Sequence, residues 1–169
     1  MPGWLTWLLG LVLVTGESAV LAGFGVSMFA VQMGVVVTVL LGLRREFIPG
    51  ALTLAALLPV IEWYAGGPKG FYGFGLAVVF IVMQIIRPRL HQQWGLMHVL
   101  AGALAATLHP LVVVGVLAVF QSTAGVGHAI LWAIPWCVLG VTLALWPAQW
   151  LLERADSVFE GNVGKRVFD

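Results

Sequence analysis

The chain has 169 residues and a formal net charge of +1, with 61% hydrophobic and only 9% charged residues. Ordinary soluble domains carry about 25% charged residues, so the composition excludes a soluble globular domain and predicts one integral membrane domain. The near-neutral charge gives no basis for nucleic-acid binding, and the single Cys137 excludes an internal disulfide.

The basic residues lie in alternate gaps between the apolar runs or in the C-terminal tail, at Arg44, Arg45, Arg87, Arg89, Arg154, Lys165 and Arg166. The remaining gaps contain only Lys69. Lys and Arg near the end of a span are retained on the cytoplasmic side of the membrane. The pattern therefore predicts an all-α protein with six transmembrane helices and with both termini in the cytoplasm.

The six spans follow from the apolar runs and from the length that a bilayer accepts, about 20 residues. No Asp, Glu, Lys or Arg occurs between Arg89 and Glu153, so that stretch must turn once, at the Gly-rich segment 121–127. Prolines are expected to kink or break two helices, at Pro110 in the fifth and at Pro135 and Pro147 in the sixth. The predicted spans are 4–21, 26–43, 47–64, 71–86, 94–120 and 128–152, so that residues 1–153 form the transmembrane domain and 154–169 a short cytoplasmic tail.

Small residues recur every four positions in the second span, at Ala30, Gly34, Thr38 and Gly42. Such a ridge lets helix backbones approach closely in lipid. The ridge predicts a helix-packing face, with Val36 on another face of the helix. We therefore expect Gly34→Leu to damage assembly more than Val36→Leu.

Small and polar residues in the fifth span follow a four-three spacing that places them on one helix face, at His91, Gly95, His98, Gly102, Ala105 and His109. The favoured interpretation is helix packing with the histidines hydrogen-bonded to neighbours. The alternative is a proton path or a metal site, as in an intramembrane enzyme using His98 and His109. No acidic residue or Cys accompanies the histidines at ligand spacing, so no metal or cofactor is expected.

Two acidic residues lie within or at the ends of spans, Glu17 near the end of the first and Glu62 near the end of the third. Two interpretations of Glu17 stay open: it faces a cavity or a partner, or it is a carboxylate close enough to the membrane interface to be hydrated. Glu62 precedes a Gly-rich turn that contains Gly67, Pro68 and Gly70. At this turn a carboxylate can accept hydrogen bonds from the exposed amides at the start of the fourth helix.

The turn resembles an element of the MreD family of rod shape-determining proteins, in which an acidic residue precedes glycines, a proline and an aromatic residue. Glu62, Gly66, Gly67, Pro68, Gly70 and Tyr72 carry the resemblance, although the family usually has Asp at the first position. Glu17-Ser18 resembles the family's Gln-Ser, whereas the family's Pro-Asp pair at the start of the second span is missing. The basic loop 87–90 and the amphipathic segment 151–156, where the chain leaves the last span, also resemble the corresponding segments of family members.

The resemblance implies a non-enzymatic protein of the bacterial inner membrane with a fold similar to the S-component bundles of energy-coupling-factor transporters. It implies binding to MreC within the MreB-linked elongation complex, together with RodA and a penicillin-binding transpeptidase. That complex builds lateral peptidoglycan and determines cell shape. The helix faces, the acidic residues and the turn together give the partner-binding or structural candidates Glu17, Gly34, Thr38, Glu62, Gly67, Pro68, Gly70, Tyr72, His98 and His109.

The alternative function is a small-molecule-binding membrane subunit of a vitamin or ion transporter. Such a subunit would be as hydrophobic as an MreC-binding membrane protein, so composition does not distinguish the two. It would arrange Glu62, Tyr72 and Trp132 around a pocket that opens outward. A ligand retained on purification would distinguish it from the MreC-binding protein.

The charge pattern predicts a testable topology. In the variant Lys69→Cys, an impermeant thiol reagent should label intact cells, because this residue lies in an outward gap. Arg45→Cys, Arg89→Cys and Lys165→Cys should react only after permeabilisation. External labelling at position 89 would overturn the topology.

Overall fold

The computed structural model describes residues 3–24, 32–65, 70–90, 96–120 and 124–166. Within these ranges the chain is all-helical, and four helices are long and apolar enough to cross a membrane: α3, α4, α5 and α6. The protein is thus a helical, membrane-embedded protein. The helices are α1 (Gly3–Phe24), α2 (Met33–Arg44), α3 (Phe47–Ala65), α4 (Phe71–Leu90), α5 (Leu96–Phe120) and α6 (Ala124–Arg166).

The helices differ widely in length. α2 has 12 residues, which corresponds to roughly 18 Å at 1.5 Å per residue, well short of the ~30 Å hydrocarbon core. The first part of the predicted second span, with Ala30, lies outside the described residues. α6 has 43 residues, or roughly 65 Å, and it remains helical past the predicted tail boundary at 154. His91 and Gly95 of the fifth span also lie outside the described residues.

The prolines inside the long helices do not end them. α5 continues through Pro110, and α6 continues through Pro135 and Pro147. A membrane helix tolerates proline because neighbouring helices and small local adjustments satisfy the freed carbonyl groups. The expected break of the fifth helix at Pro110 is therefore not observed.

Successive helices run in opposite directions, as the contacts at the two ends of the bundle show. At one end the Arg45 side chain of the α2–α3 connection reaches Thr6 of α1, and Arg44 of α2 reaches Glu153 of α6. At the other end Glu17 of α1 lies at the start of α2. We call these the basic end, defined by Arg44, Arg45, Arg87 and Glu153, and the acidic end, defined by Glu17 and Glu62.

Helix α2 is the centre of the bundle, because each of the other five described helices packs against it. Every residue from Gly34 to Gly42 is buried. Val36 is 0% exposed, so the expectation that position 36 lies outside the packing surface is wrong. The physical reason is that a helix surrounded on all sides has no lipid-facing residues. A four-residue repeat of small residues then cannot separate packed positions from lipid-facing ones.

The small residues of α2 allow the closest approaches in this core. A Cβ atom at Gly42 would lie 2.6 Å from the Cβ of Met83 in α4, and one at Gly34 would lie 3.3 Å from Ile61 Cγ2 in α3. The hydroxyl of Thr38 is fully buried and donates to the Gly34 carbonyl at 2.7 Å. The ridge 34–38–42 therefore packs against α3 and α4 and does not face lipid.

Both ends of α2 are hydrogen-bonded by side chains from other helices. Glu17 Oε2 accepts from the Met33 amide at 2.9 Å. At the opposite end, the Arg45 carbonyl accepts from Gln84 Nε2 at 2.8 Å and from Arg87 Nη1 at 2.6 Å. The first and last turns of a helix leave backbone groups without intrahelical partners, and here α1 and α4 supply partners for two of them.

The packing of α2 predicts opposite effects for two Gly→Ala variants. Gly42→Ala should destabilise the protein by about 1–3 kcal/mol, because the new methyl meets the Met83 Cβ, which cannot rotate away. Gly115→Ala is the matched control, since a Cβ there meets nothing within 4 Å and helix propensity favours Ala by up to ~1 kcal/mol. Thermal unfolding in detergent measures both, and equal midpoints would contradict the packing.

Candidate functional site

The hairpin between α3 and α4 is held by the carboxylate of Glu62. Its Oε1 and Oε2 both accept from the Gly70 amide at 2.9 Å, and Oε1 also accepts from the Gly73 amide at 3.0 Å. These amides lie at the start of α4 and have no partners within the helix, and the helix dipole favours a negative charge there. The hydrogen bonds expected from the sequence are confirmed, and Glu62 joins the end of α3 to the start of α4.

Two glycines make this cap sterically possible. Gly70 has φ +96°, a backbone conformation that side chains with a Cβ rarely adopt. A Cβ at Gly73 would lie 2.6 Å from Glu62 Oε1, so any larger residue there would displace the carboxylate. Gly73 is not among the residues that the sequence predicts for this site. Gly67 and Pro68, which are among them, lie outside the described residues.

A groove of about 660 Å³ runs between α3 and α4 below this cap. Small residues and a proline form much of its floor, and the side chains of Trp63 and Phe74, which are 78% and 54% exposed, stand at its rim. Glu62 closes its outer end. The lining residues are Ala55, Leu58, Pro59, Glu62, Trp63, Gly70, Gly73, Phe74 and Ala77.

Tyr72 points into the bundle, where it meets His109 of α5. The two rings lie 4.4 Å apart in an edge-on arrangement, and His109 Nε2 is 3.4 Å from the Tyr72 carbonyl oxygen. Gly75 leaves room for the imidazole, since a Cβ there would lie 2.9 Å from His109 Cδ2. His109 is 1% exposed. This geometry agrees with the favoured interpretation of His109 as a packing residue.

His98 has different surroundings. It lies in a groove between α5 and α6 with Trp146, Gln149 and Glu153. Eleven positions separate it from His109, which corresponds to roughly 16 Å along a helix. The structure therefore does not bring the two histidines together. The described residues also contain no group of three or more His, Cys, Asp or Glu placed to hold a metal ion.

Buried polar groups gather at the acidic end. Gln32 is 4% exposed and its Nε2 lies 3.7 Å from Cys137 Sγ of α6. Within the described part of the chain, Glu17 Oε1, Gln32 Oε1 and His109 Nδ1 are buried without a hydrogen-bond partner. Glu17 is thus a contact inside the bundle as well as a cap for α2. Gln32 is not among the candidate residues predicted from the sequence.

The residues proposed for a transporter-like pocket are dispersed. Glu62 lines the α3–α4 groove, whose lining includes neither Tyr72 nor Trp132. Tyr72 packs against His109, and Trp132 is 72% exposed on α6. None of the three cavities described in this structure is lined by all of these residues.

The cap predicts a local loss of stability in Glu62→Ala. Removing a side-chain cap from a helix N-terminus costs about 1 kcal/mol, within a range of ~0.5–2. Hydrogen exchange should accelerate at the Gly70 and Gly73 amides. Glu62→Gln should have the smaller effect, because an amide oxygen can still accept.

Glu46→Ala is the matched control for this prediction, since it removes one negative charge from an exposed residue. It should leave exchange at Gly70 and Gly73 unchanged. Equal exchange rates in Glu62→Ala and in the unmodified protein would show that the carboxylate does not hold the hairpin.

Comparison with models of protein families, with curated proteins and with solved structures finds no match for this chain. What the site can bind is therefore argued from its own residues. A hydrogen-bonded hairpin joins α3 to α4 beside an apolar groove that has a carboxylate at one end. Small residues along such a surface let the backbone of another helix approach closely.

Proposed function

We propose that this protein is a non-enzymatic membrane component of the bacterial cell-elongation complex, in which it binds MreC. Two lines support the proposal: the resemblance of the 62–72 segment to the MreD family, and the α3–α4 groove. In this proposal the protein lies in the inner membrane with six spans and cytoplasmic termini. The basic end then faces the cytoplasm, and the Glu62 hairpin faces the periplasm.

The groove is the observation that carries the proposal. Ala55, Gly73 and Ala77 line it, and small side chains let the backbone of another helix approach closely. In a membrane, association between helices depends on such close packing, because lipid provides no hydrophobic drive. The exposed rings of Trp63 and Phe74 would enclose an incoming helix from two sides.

The carboxylate at the outer end of the groove would determine the direction in which a partner helix lies there. A charged group near the hydrocarbon region is costly when it faces lipid alone. Glu62 is partly compensated by the amides of Gly70 and Gly73. A partner segment with a cationic or hydrogen-bond-donating residue at its periplasmic end would complete that compensation. This is the chemistry that we assign to the MreC segment bound here.

Filling the groove should abolish partner capture. In Ala55→Trp the indole occupies the space of the incoming helix, so the amount of MreC copurified should fall at least about tenfold, or ~1.4 kcal/mol. Val119→Trp is the matched control, because Val119 is 77% exposed on α5, away from the groove. Gly70→Val should also weaken capture, since it strains the hairpin while leaving insertion intact.

Equal MreC capture by Ala55→Trp and Val119→Trp would refute the assigned groove. Loss of capture in both variants would refute it as well. In a rod-shaped host, depletion of the protein should produce round cells with no nutrient requirement.

The buried polar groups at the acidic end favour a second candidate, the small-molecule-binding transporter subunit. Unpartnered atoms of Glu17, Gln32 and His109 are groups that a polar ligand can satisfy. Depleted cells that keep their shape but need an added vitamin would select this second function. Copurification of a small molecule without MreC would do the same.

A further inference from the structure

A second cavity lies at the basic end of the bundle, away from the α3–α4 groove. It has a volume of about 180 Å³ and is flanked by α1 and α6 over a floor formed by α2. Both flanking helices pack on α2, but they do not pack extensively against each other over the described residues. We call this cavity the α1–α6 slot.

The slot is apolar along its length and cationic at its mouth. Leucine side chains from three helices line it, among them Leu13, Leu40 and Leu152. Arg44 and Arg45 line the same cavity. This combination is amphipathic in the same sense as a phospholipid, with apolar walls for an acyl chain and guanidinium groups for a phosphate.

The charged residues that line the slot within the described part of the chain, Arg44 and Arg45, are both basic. Arg44 Nη2 pairs with Glu153 Oε1 at 2.9 Å, and Arg87 Nη1 donates to the Arg45 carbonyl at 2.6 Å. The Glu153 side chain is 55% exposed, so solvent weakens its pairing with Arg44, and an incoming phosphate can compete for that guanidinium.

The depth of the mouth matches that of lipid headgroups. Trp146 and Trp150 of α6 are 81% and 55% exposed, and Arg154 lies over the Trp150 ring at 5.6 Å. Exposed tryptophans prefer the interface between hydrocarbon and water. Glu153 lies within one turn of Trp150, so the Arg44 guanidinium that it contacts is at headgroup depth.

From these observations we propose that the α1–α6 slot binds one anionic phospholipid. The phosphate contacts Arg44 and Arg45, and an acyl chain lies along Leu13, Leu40 and Leu152. The lipid thereby fills the gap between α1 and α6. This inference does not depend on MreC binding.

The test uses the full-length, delipidated protein in detergent, with phosphatidylglycerol and phosphatidylcholine of identical acyl chains as probes. Native mass spectrometry measures the lipid retained. Phosphatidylglycerol should be retained about fivefold more strongly, as expected for a basic side chain near an anionic lipid. Arg45→Gln should remove this preference, while Arg154→Gln, outside the slot, should keep it.

A paired gain-of-binding experiment remains decisive if Arg45→Gln does not fold. Glu153→Gln removes the carboxylate that pairs with Arg44 and should strengthen phosphatidylglycerol retention severalfold. Glu46→Gln removes the same charge from an exposed residue that does not line the slot and should change nothing. Leu13→Phe, which fills the slot and keeps both arginines, should reduce retention of either lipid.

Several results would overturn the proposal. Equal retention of the two lipids would show that no anionic site exists. Equal effects of Glu153→Gln and Glu46→Gln, or of Arg45→Gln and Arg154→Gln, would show surface charge without a site. Full displacement of the lipid by inorganic phosphate, or unchanged retention in Leu13→Phe, would show that the slot does not hold a chain.

Discussion

The hydrogen bonding of the two ends of α2 is the constraint on which this bundle depends. α2 is short, central and buried from Gly34 to Gly42, and the first amides and last carbonyls of a helix have no partners within the helix itself. An unsatisfied backbone group away from water costs free energy comparable to a lost hydrogen bond. These ends are hydrogen-bonded by Glu17 from α1 and by Gln84 and Arg87 from α4. The same hydrogen bonds fix the positions of α1 and α4 relative to α2.

The same solution occurs twice at the acidic end. Glu17, near the end of α1, accepts from the first turn of α2, and Glu62, near the end of α3, accepts from the first turn of α4. In each case a carboxylate meets the positive end of a helix dipole, which lowers the cost of a charge at membrane depth. Glu17 and Glu62 are therefore structural links first. Glu62 also borders the groove proposed for a partner, and Glu17 leaves one buried oxygen without a partner among the described residues.

The two cavities with the clearest chemistry lie at opposite ends of the bundle. The α3–α4 groove combines a small-residue floor with a carboxylate, and the α1–α6 slot combines leucines with guanidinium groups. A helix from another protein suits the first, and an anionic lipid suits the second. The proposals thus assign protein contacts and lipid contacts to different parts of the bundle, and the two cavities share no lining residue.

The amino-acid sequence by itself determined the membrane character, the all-helical class and the capping role of Glu62. These follow from composition and from local chemistry, because a carboxylate eight residues before Gly70 in a tight hairpin can reach its amide. Only the tertiary structure decided the surroundings of each helix. A four-residue repeat indicated one packing face on α2, yet five neighbours bury every face, including Val36. Periodicity describes how residues are arranged on a single helix and cannot report how many helices surround it. His98 and His109 likewise share a face in sequence, but α6 contacts one and α4 the other, because the neighbours of a long helix change along its length.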